Sequence, residues 1–138
     1  MERKIAYYRG IATDNGKFTY GTPDIRAVLC VIRDGYIYTT IKPETLTPFT
    51  GKLDKKRKLI FEGDILRYYV PKGEQEEAGY AYEDYLVQWD EEQAGFCISS
   101  AKNPYEDGLS GSEEFEVVGN VFLNPELAEQ FKNVRKTV

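Results

Sequence analysis

The sequence predicts a mostly β protein, a β-rich α+β arrangement of small barrel or sheet elements that ends in one short helix. Three observations lead there. Eleven tyrosines and seven phenylalanines stand among 138 residues, and with Val, Ile and Thr these side chains suit a pleated, half-buried surface better than a helix. Turn-forming Gly, Asn, Asp and Pro recur at short intervals between apolar runs, the punctuation of successive hairpins. Helical spacing of apolar residues is confined to the end of the chain, at Leu127, Ala128 and Phe131.

The length fits one domain spanning 1–138, with N-terminal strands over about 1–48, a strand region over about 49–123 and a helix over about 125–135. At 41% hydrophobic and 30% charged residues the composition is that of a folding chain, not a disordered one. No apolar run reaches the roughly 20 residues that cross a bilayer. Nor does a signal-type apolar segment follow Met1-Glu2-Arg3-Lys4. The expectation is a soluble, cytoplasmic protein without a membrane partner. Cys30 and Cys97 lie in apolar strand-like runs and are expected to be free, buried thiols.

The chain has no histidine. Imidazole is the usual general base near neutral pH and the commonest metal ligand, so catalytic triads, zinc hydrolases and His-dependent nucleases are excluded. Two cysteines cannot assemble a four-ligand structural zinc site within one chain. The formal charge of −5 disfavours general phosphate-backbone binding, leaving nucleic-acid contact to a local basic patch. No catalytic residue and no cofactor is expected.

Along the chain, Lys4 to Tyr8 is the first expected strand, and Thr13-Asp14-Asn15-Gly16 is a turn whose Asn-Gly pair tolerates positive φ. Lys17 to Tyr20 makes a short strand, Gly21-Thr22-Pro23-Asp24 a break, and Ile25 to Ile32 a central strand. Arg33-Asp34-Gly35 then turns the chain into Tyr36 to Ile41, β-branched or aromatic throughout. Lys42 to Pro48 carries two prolines and serves as a connector.

The most informative stretch runs from Phe49 to Tyr69. It holds Phe49-Thr50-Gly51-Lys52-Leu53-Asp54, a basic turn Lys55-Lys56-Arg57-Lys58, and Leu59-Ile60-Phe61-Glu62-Gly63-Asp64-Ile65. A Gly-Asp pair entering an apolar strand is a device of SH3-like barrels: Gly allows the tight bend and Asp bonds nearby amides as the strand begins. Beyond it, Pro71 to Gly79 is a polar, acidic loop. Tyr85 to Trp89 and Phe96 to Ser99 form a further hairpin, with the Trp packed in its sheet. Ser100 to Glu114 is a second loop, and Phe115 to Phe122 a closing strand. Asn124 caps the last helix, with Pro125 at its first position, Glu126 at its positive end, and Lys132, Arg135 and Lys136 at its negative end.

These residues resemble a known family. Phe49-Thr50-Gly51-Lys52-Leu53-Asp54-Lys55 with Ile60-Phe61-Glu62-Gly63-Asp64-Ile65 is similar to the Tyr-Thr-Gly-Leu-x-Asp-Lys-x-Gly-x-x-Ile-Tyr-Glu-Gly-Asp-Ile motif of YopX-like proteins of bacteriophages and prophages. Val117-Val118-Gly119-Asn120 with Asn124-Pro125-Glu126-Leu127 is similar to that family's closing motif. The departures are Phe49 and Phe61 for tyrosines, Lys52 for leucine, and Arg57 for a turn glycine. The resemblance implies a β-rich fold with an SH3-like element, a mobile-element origin and homo-oligomers, trimers or higher among them. It implies no reaction.

The expected motif residues of the fold are Gly51, Glu62, Gly63, Asp64, Gly119, Asn120, Asn124 and Pro125. Three functional readings follow. Lys52, Lys55, Lys56, Arg57 and Lys58, near Phe49 and Tyr68, combine cations with aromatics as single-stranded nucleic acid requires. Glu62 and Asp64, two residues apart, would pair carboxylates for catalysis if a regular strand ran through them. The reading preferred is a phage-type accessory protein acting by self-assembly or by binding a phage or host protein. Glu74, Glu76, Glu77, Glu83 and Asp84 could in principle gather a hard cation, although a solvated loop is the expectation.

Overall fold

The computed structural model describes residues 7–26, 29–102 and 107–133. The chain divides into two compact units, Met1–Phe49 and Thr50–Val138. The fold is mostly β as expected, its strands antiparallel, and their orders describe open sheets, the second of the two forms, barrel or sheet, that the sequence suggested.

In the first unit, β1 (Tyr8–Ile11), β2 (Phe18–Arg26), β3 (Leu29–Asp34) and β4 (Ile37–Thr40) pair in the order β4-β3-β2-β1. The start of β5 (Thr47–Leu53) lies beside β1, Thr47 opposite Arg9. Asn15-Gly16 turns as expected: Gly16 has φ 70, and the Asn15 Oδ1 accepts from the Lys17 N–H at 2.9 Å. The Gly35 turn between β3 and β4 likewise forms.

Three expectations are corrected here. The first described strand starts at Tyr8, where the sequence placed an end; residues 4–6 lie outside the described part. Gly21 to Asp24 is no break, because β2 pairs with β1 through Gly21 and with β3 from Thr22 onward. A ladder on one side accommodates Pro23, which has no N–H to give. Ile25 to Ile32 is two strands: Arg26 faces Leu29 across a reversal, so the apolar run feeds two neighbouring strands of one sheet. Cys30, Ile32 and Ile41 form the buried cluster of this unit, with Leu46 against it.

In the second unit β5 continues to β6 (Leu59–Phe61), its neighbour in the sheet. A five-stranded sheet follows, made of β7 (Asp64–Pro71), β8 (Tyr80–Asp90), β9 (Gly95–Ser100), β10 (Asp107–Gly108) and β11 (Glu116–Asn120), in the order β10-β9-β8-β7-β11. Because side chains alternate along a strand, the sheet has two apolar faces. Leu66, Val87 and Ile98 pack with Ile60 and Leu109 in one cluster. Ile65 and Leu86 pack with Ala128 and Phe131 of the terminal helical segment in the other. Trp89 meets Phe96 edge-on across β8 and β9, ring centroids 5.0 Å apart, as expected of a Trp in this hairpin. Cys30 and Cys97 are buried thiols outside any disulfide, and burial raises the Cys30 thiol above its ordinary pKa.

The terminal helix is shorter than expected. α1 spans Pro125–Ala128 and a 3-10 turn carries it through Phe131. Pro125 opens it as expected, but Asn124 does not cap it with its side chain. That side chain turns back, and its Oδ1 accepts from the Asn120 N–H at 3.0 Å. Lys132 pairs with Glu129 at 3.1 Å; Arg135 and Lys136 lie outside the described residues.

Candidate functional site

The basic turn is built around a buried acid. Asp54, 3% exposed, follows β5. Its Oδ1 accepts from the backbone N–H groups of Lys56 and Lys58, both at 2.8 Å, and its Oδ2 from that of Val117 at 2.9 Å. The Lys55 N–H donates to the Phe115 carbonyl at 2.8 Å. The turn therefore lies along the β11 edge of the sheet and occupies backbone groups that an edge leaves open. Arg57 sits at φ 65, a left-handed conformation that costs a side chain about 1 kcal/mol or more and that glycine adopts freely. The turn glycine that the resemblance implies at this position would adopt the conformation without that cost.

All five predicted basic residues are exposed, and the structure divides them. Lys56 Nζ reaches Glu116 at 2.8 Å and Lys55 Nζ lies 3.6 Å from the same carboxylate. The hydrogen bond from Lys56 is the main cause that lowers the Glu116 pKa, and the same bond raises that of Lys56. Lys55 also stands 4.6 Å over the Tyr69 ring. Among the described residues no carboxylate pairs with Lys52, Arg57 or Lys58.

The remaining motif residues also hold local structure. Thr50 Oγ1, beside Gly51, donates to the Ile60 carbonyl at 2.7 Å. Glu62-Gly63 is the turn from β6 to β7, with Gly63 at φ 89. Glu62 and Asp64 thus flank a bend and do not share a strand face. Asp64, 1% exposed, accepts from the Phe61 N–H at 2.8 Å, the amide bond expected of it. Glu62 is pushed above the ordinary carboxylate range by burial, against an opposing hydrogen bond from the Trp89 backbone. At the far motif, Asn120 Oδ1 accepts from Phe122 and Leu123, shaping the reversal that leads into the helix. A Cβ on Gly119 would stand 2.8 Å from Asn124 Oδ1 and 2.9 Å from Leu127 Cδ1, so a larger residue would displace the Asn124 side chain from its bond with the Asn120 N–H.

Sequence reasoning missed the stretch where β7 and β8 continue beyond their other neighbours. β8 begins at Tyr80, five residues before the expected start, and pairs with β7 down to Pro71. β11 reaches only Arg67 on one side, and β9 only Tyr85 on the other. Residues 68–71 and 80–83 thus form a two-stranded ribbon. Tyr68, Tyr69, Val70, Tyr80 and Tyr82 are exposed on it, Tyr80 at 62% and Tyr82 at 59%. The alternation of tyrosine in Tyr80-Ala81-Tyr82 was the available signal.

An ion pair anchors the ribbon. Arg67 Nε and Nη2 donate to the two Asp84 carboxylate oxygens at 2.8 and 3.0 Å, and the guanidinium lies 3.8 Å over the Tyr82 ring. The Asp84 hydrogen bond is the main cause holding the Arg67 guanidinium protonated well beyond the usual range. A cleft of about 240 Å³ opens beside the pair, lined also by Ser100, Lys102 and Gln130. Asp84 is thereby committed to Arg67, and Glu83 accepts from the Tyr85 hydroxyl at 3.0 Å. Among the described residues no cluster of three or more Asp, Glu or Cys could hold a metal ion. No helix of the described residues is long and apolar enough to cross a membrane.

The fold and these contacts define a class: a two-sheet antiparallel β protein whose recurrent Gly, Asp and Asn residues lock turns onto strand edges. The chain belongs to the YopX family, whose model, described as YopX protein, matches residues 5–129. No curated protein matches it.

Proposed function

We propose that this chain is a phage- or prophage-type accessory protein of the bacterial cytoplasm that acts by binding and self-assembly, without catalysis. The observation that carries the reading is the tyrosine ribbon. A two-stranded hairpin alone is marginally stable in water, and aromatic residues are enriched where proteins meet. Tyr69, Val70, Tyr80 and Tyr82 stand exposed on such a hairpin, with no third strand among the described residues. The carboxylates of the main motif are engaged in holding turns, which supports a structural use for them. A nucleic-acid-associated regulator acting through residues 52–58 is the alternative. Glu116 neutralises part of that turn, and the net charge of −5 opposes a polyanion.

Light scattering after size exclusion at tens of micromolar tests the proposal. A mass above that of one chain is expected for the wild type. A Tyr80→Ser/Tyr82→Ser variant should be smaller in mass while retaining its circular dichroism. A monomeric wild type that also captures no protein from an infected or lysogenic host overturns the reading.

A further inference from the structure

The ribbon ends in a concavity. Pro71, Gly73, Glu74, Gln75, Gly79 and Tyr80 enclose about 290 Å³ where the chain passes from β7 to β8. Tyr80, 62% exposed, and Glu74, also exposed, both line it, and Glu77 is exposed in the same loop. A carboxylate beside an aromatic face is the environment that receives a guanidinium or ammonium group, by charge pairing and by cation–π attraction. The flanking Lys72 is the one cation of this loop. Among the described residues no cation pairs with Glu74 or Glu77.

The complementary group is present on the same unit. Lys52, Arg57 and Lys58 are exposed on the basic turn with no carboxylate partner among the described residues. The Asp54 hydrogen bonds and the Arg57 backbone conformation fix the shape of that turn before any partner arrives. A preorganised cationic loop loses little freedom on docking. Within one chain, no ion pair joins the turn to the ribbon loop among the described residues. Each copy therefore carries one unpaired basic surface and one unpaired acidic, tyrosine-edged surface.

We propose that the concavity at the ribbon tip receives the basic turn of a second copy of this chain, with Arg57 or Lys58 entering beside Glu74 and against Tyr80. The inference rests on the self-assembly reading above and names its contact. Two different surfaces meet, so the contact is head-to-tail, closing into a ring or extending as a filament according to the rotation between copies. The chain's excess of acid makes another copy a better partner for the basic turn than for its own like-charged surfaces.

Charge exchange tests it. Arg57→Glu/Lys58→Glu and Glu74→Lys/Glu77→Lys are made separately, and folding of each is checked by circular dichroism. Association is measured by analytical ultracentrifugation at low and high salt. Each variant alone should associate at least tenfold more weakly than wild type, and the wild-type assembly should weaken with salt. An equimolar mixture of the two variants should reassociate, because every acidic surface then finds a basic one. Should a reversal disturb folding, Arg57→Gln/Lys58→Gln serves with the same readout. Assembly unchanged in both variants overturns the proposal and leaves self-assembly standing by another surface. A monomeric wild type overturns both. A monomer that binds single-stranded DNA through the turn overturns the proposal in favour of nucleic acid.

Discussion

Asp54 Oδ2 accepts the backbone N–H of Val117 at 2.9 Å, across 63 residues of sequence. The bond joins the first family motif to the second. It makes one carboxylate responsible for a turn conformation and for the protection of a strand edge together.

Asp54→Ala should therefore cost more than a turn residue normally does. It removes the acceptor of three backbone N–H groups, one of them on half-buried Val117. The expected loss is about 1–3 kcal/mol, the range for leaving a buried donor unsatisfied. Urea unfolding of Asp54→Ala and Asp54→Asn would measure it, with Asn losing less because its carbonyl oxygen still accepts.

Arg57 supplies an opposite case. Arg57→Gly relieves the left-handed strain at φ 65, partly offset by the greater freedom glycine gives the unfolded chain. A net gain of up to about 1 kcal/mol is expected. Arg57→Val should destabilise, since a branched side chain tolerates this backbone poorly. Equal midpoints for the Gly and Val variants would contradict the structural account of the turn.

Gly119→Ala should lower stability by about 1–3 kcal/mol, the usual cost of inserting a methyl where no space exists. The added Cβ would press on Asn124 and Leu127 and push the terminal helical segment from the sheet. Loss of protection from hydrogen exchange at Leu127 and Ala128, whose N–H groups donate to the Asn124 carbonyl, is the local readout.

Glu62 sets a pH dependence whose sign is opposite to that of a salt-bridged acid. Burial raises its pKa from 4.5, so the folded chain holds this proton to higher pH than the unfolded chain does. The stabilisation linked to it is full below the unfolded value and is lost as pH rises through the folded one. Glu62→Gln should flatten that decline and raise the thermal midpoint at neutral pH relative to wild type. A wild-type midpoint whose pH response is unchanged by the substitution would refute this assignment.

Much of the second unit was legible in the sequence. Gly63-Asp64 announced a bend and an amide-bonding acid, and both formed, because these are local requirements met within three residues. The first unit was harder to read. Within the run from Ile25 to Ile32, Ile25 and Arg26 end β2 and Leu29 to Ile32 open β3, yet no Gly, Pro, Asn or Asp in it marks where one strand gives way to the next. Tyr80-Ala81-Tyr82-Glu83-Asp84 lies between the polar loop and the strand expected from Tyr85, and its short tyrosine alternation names no partner. These residues became strand by pairing with Arg67 to Pro71 on β7.

The basic turn carries the same lesson. Its five cations, its place between two strands and its departure from the family's glycine at Arg57 were all determined by the sequence. Tertiary structure alone decided that Lys55 and Lys56 would meet Glu116, that Lys52, Arg57 and Lys58 would not find carboxylates within the described chain, and that Asp54 would reach Val117. The reason is range. Turn chemistry acts over a few residues, whereas the neutralisation of a charge depends on which distant strand the fold brings beside it.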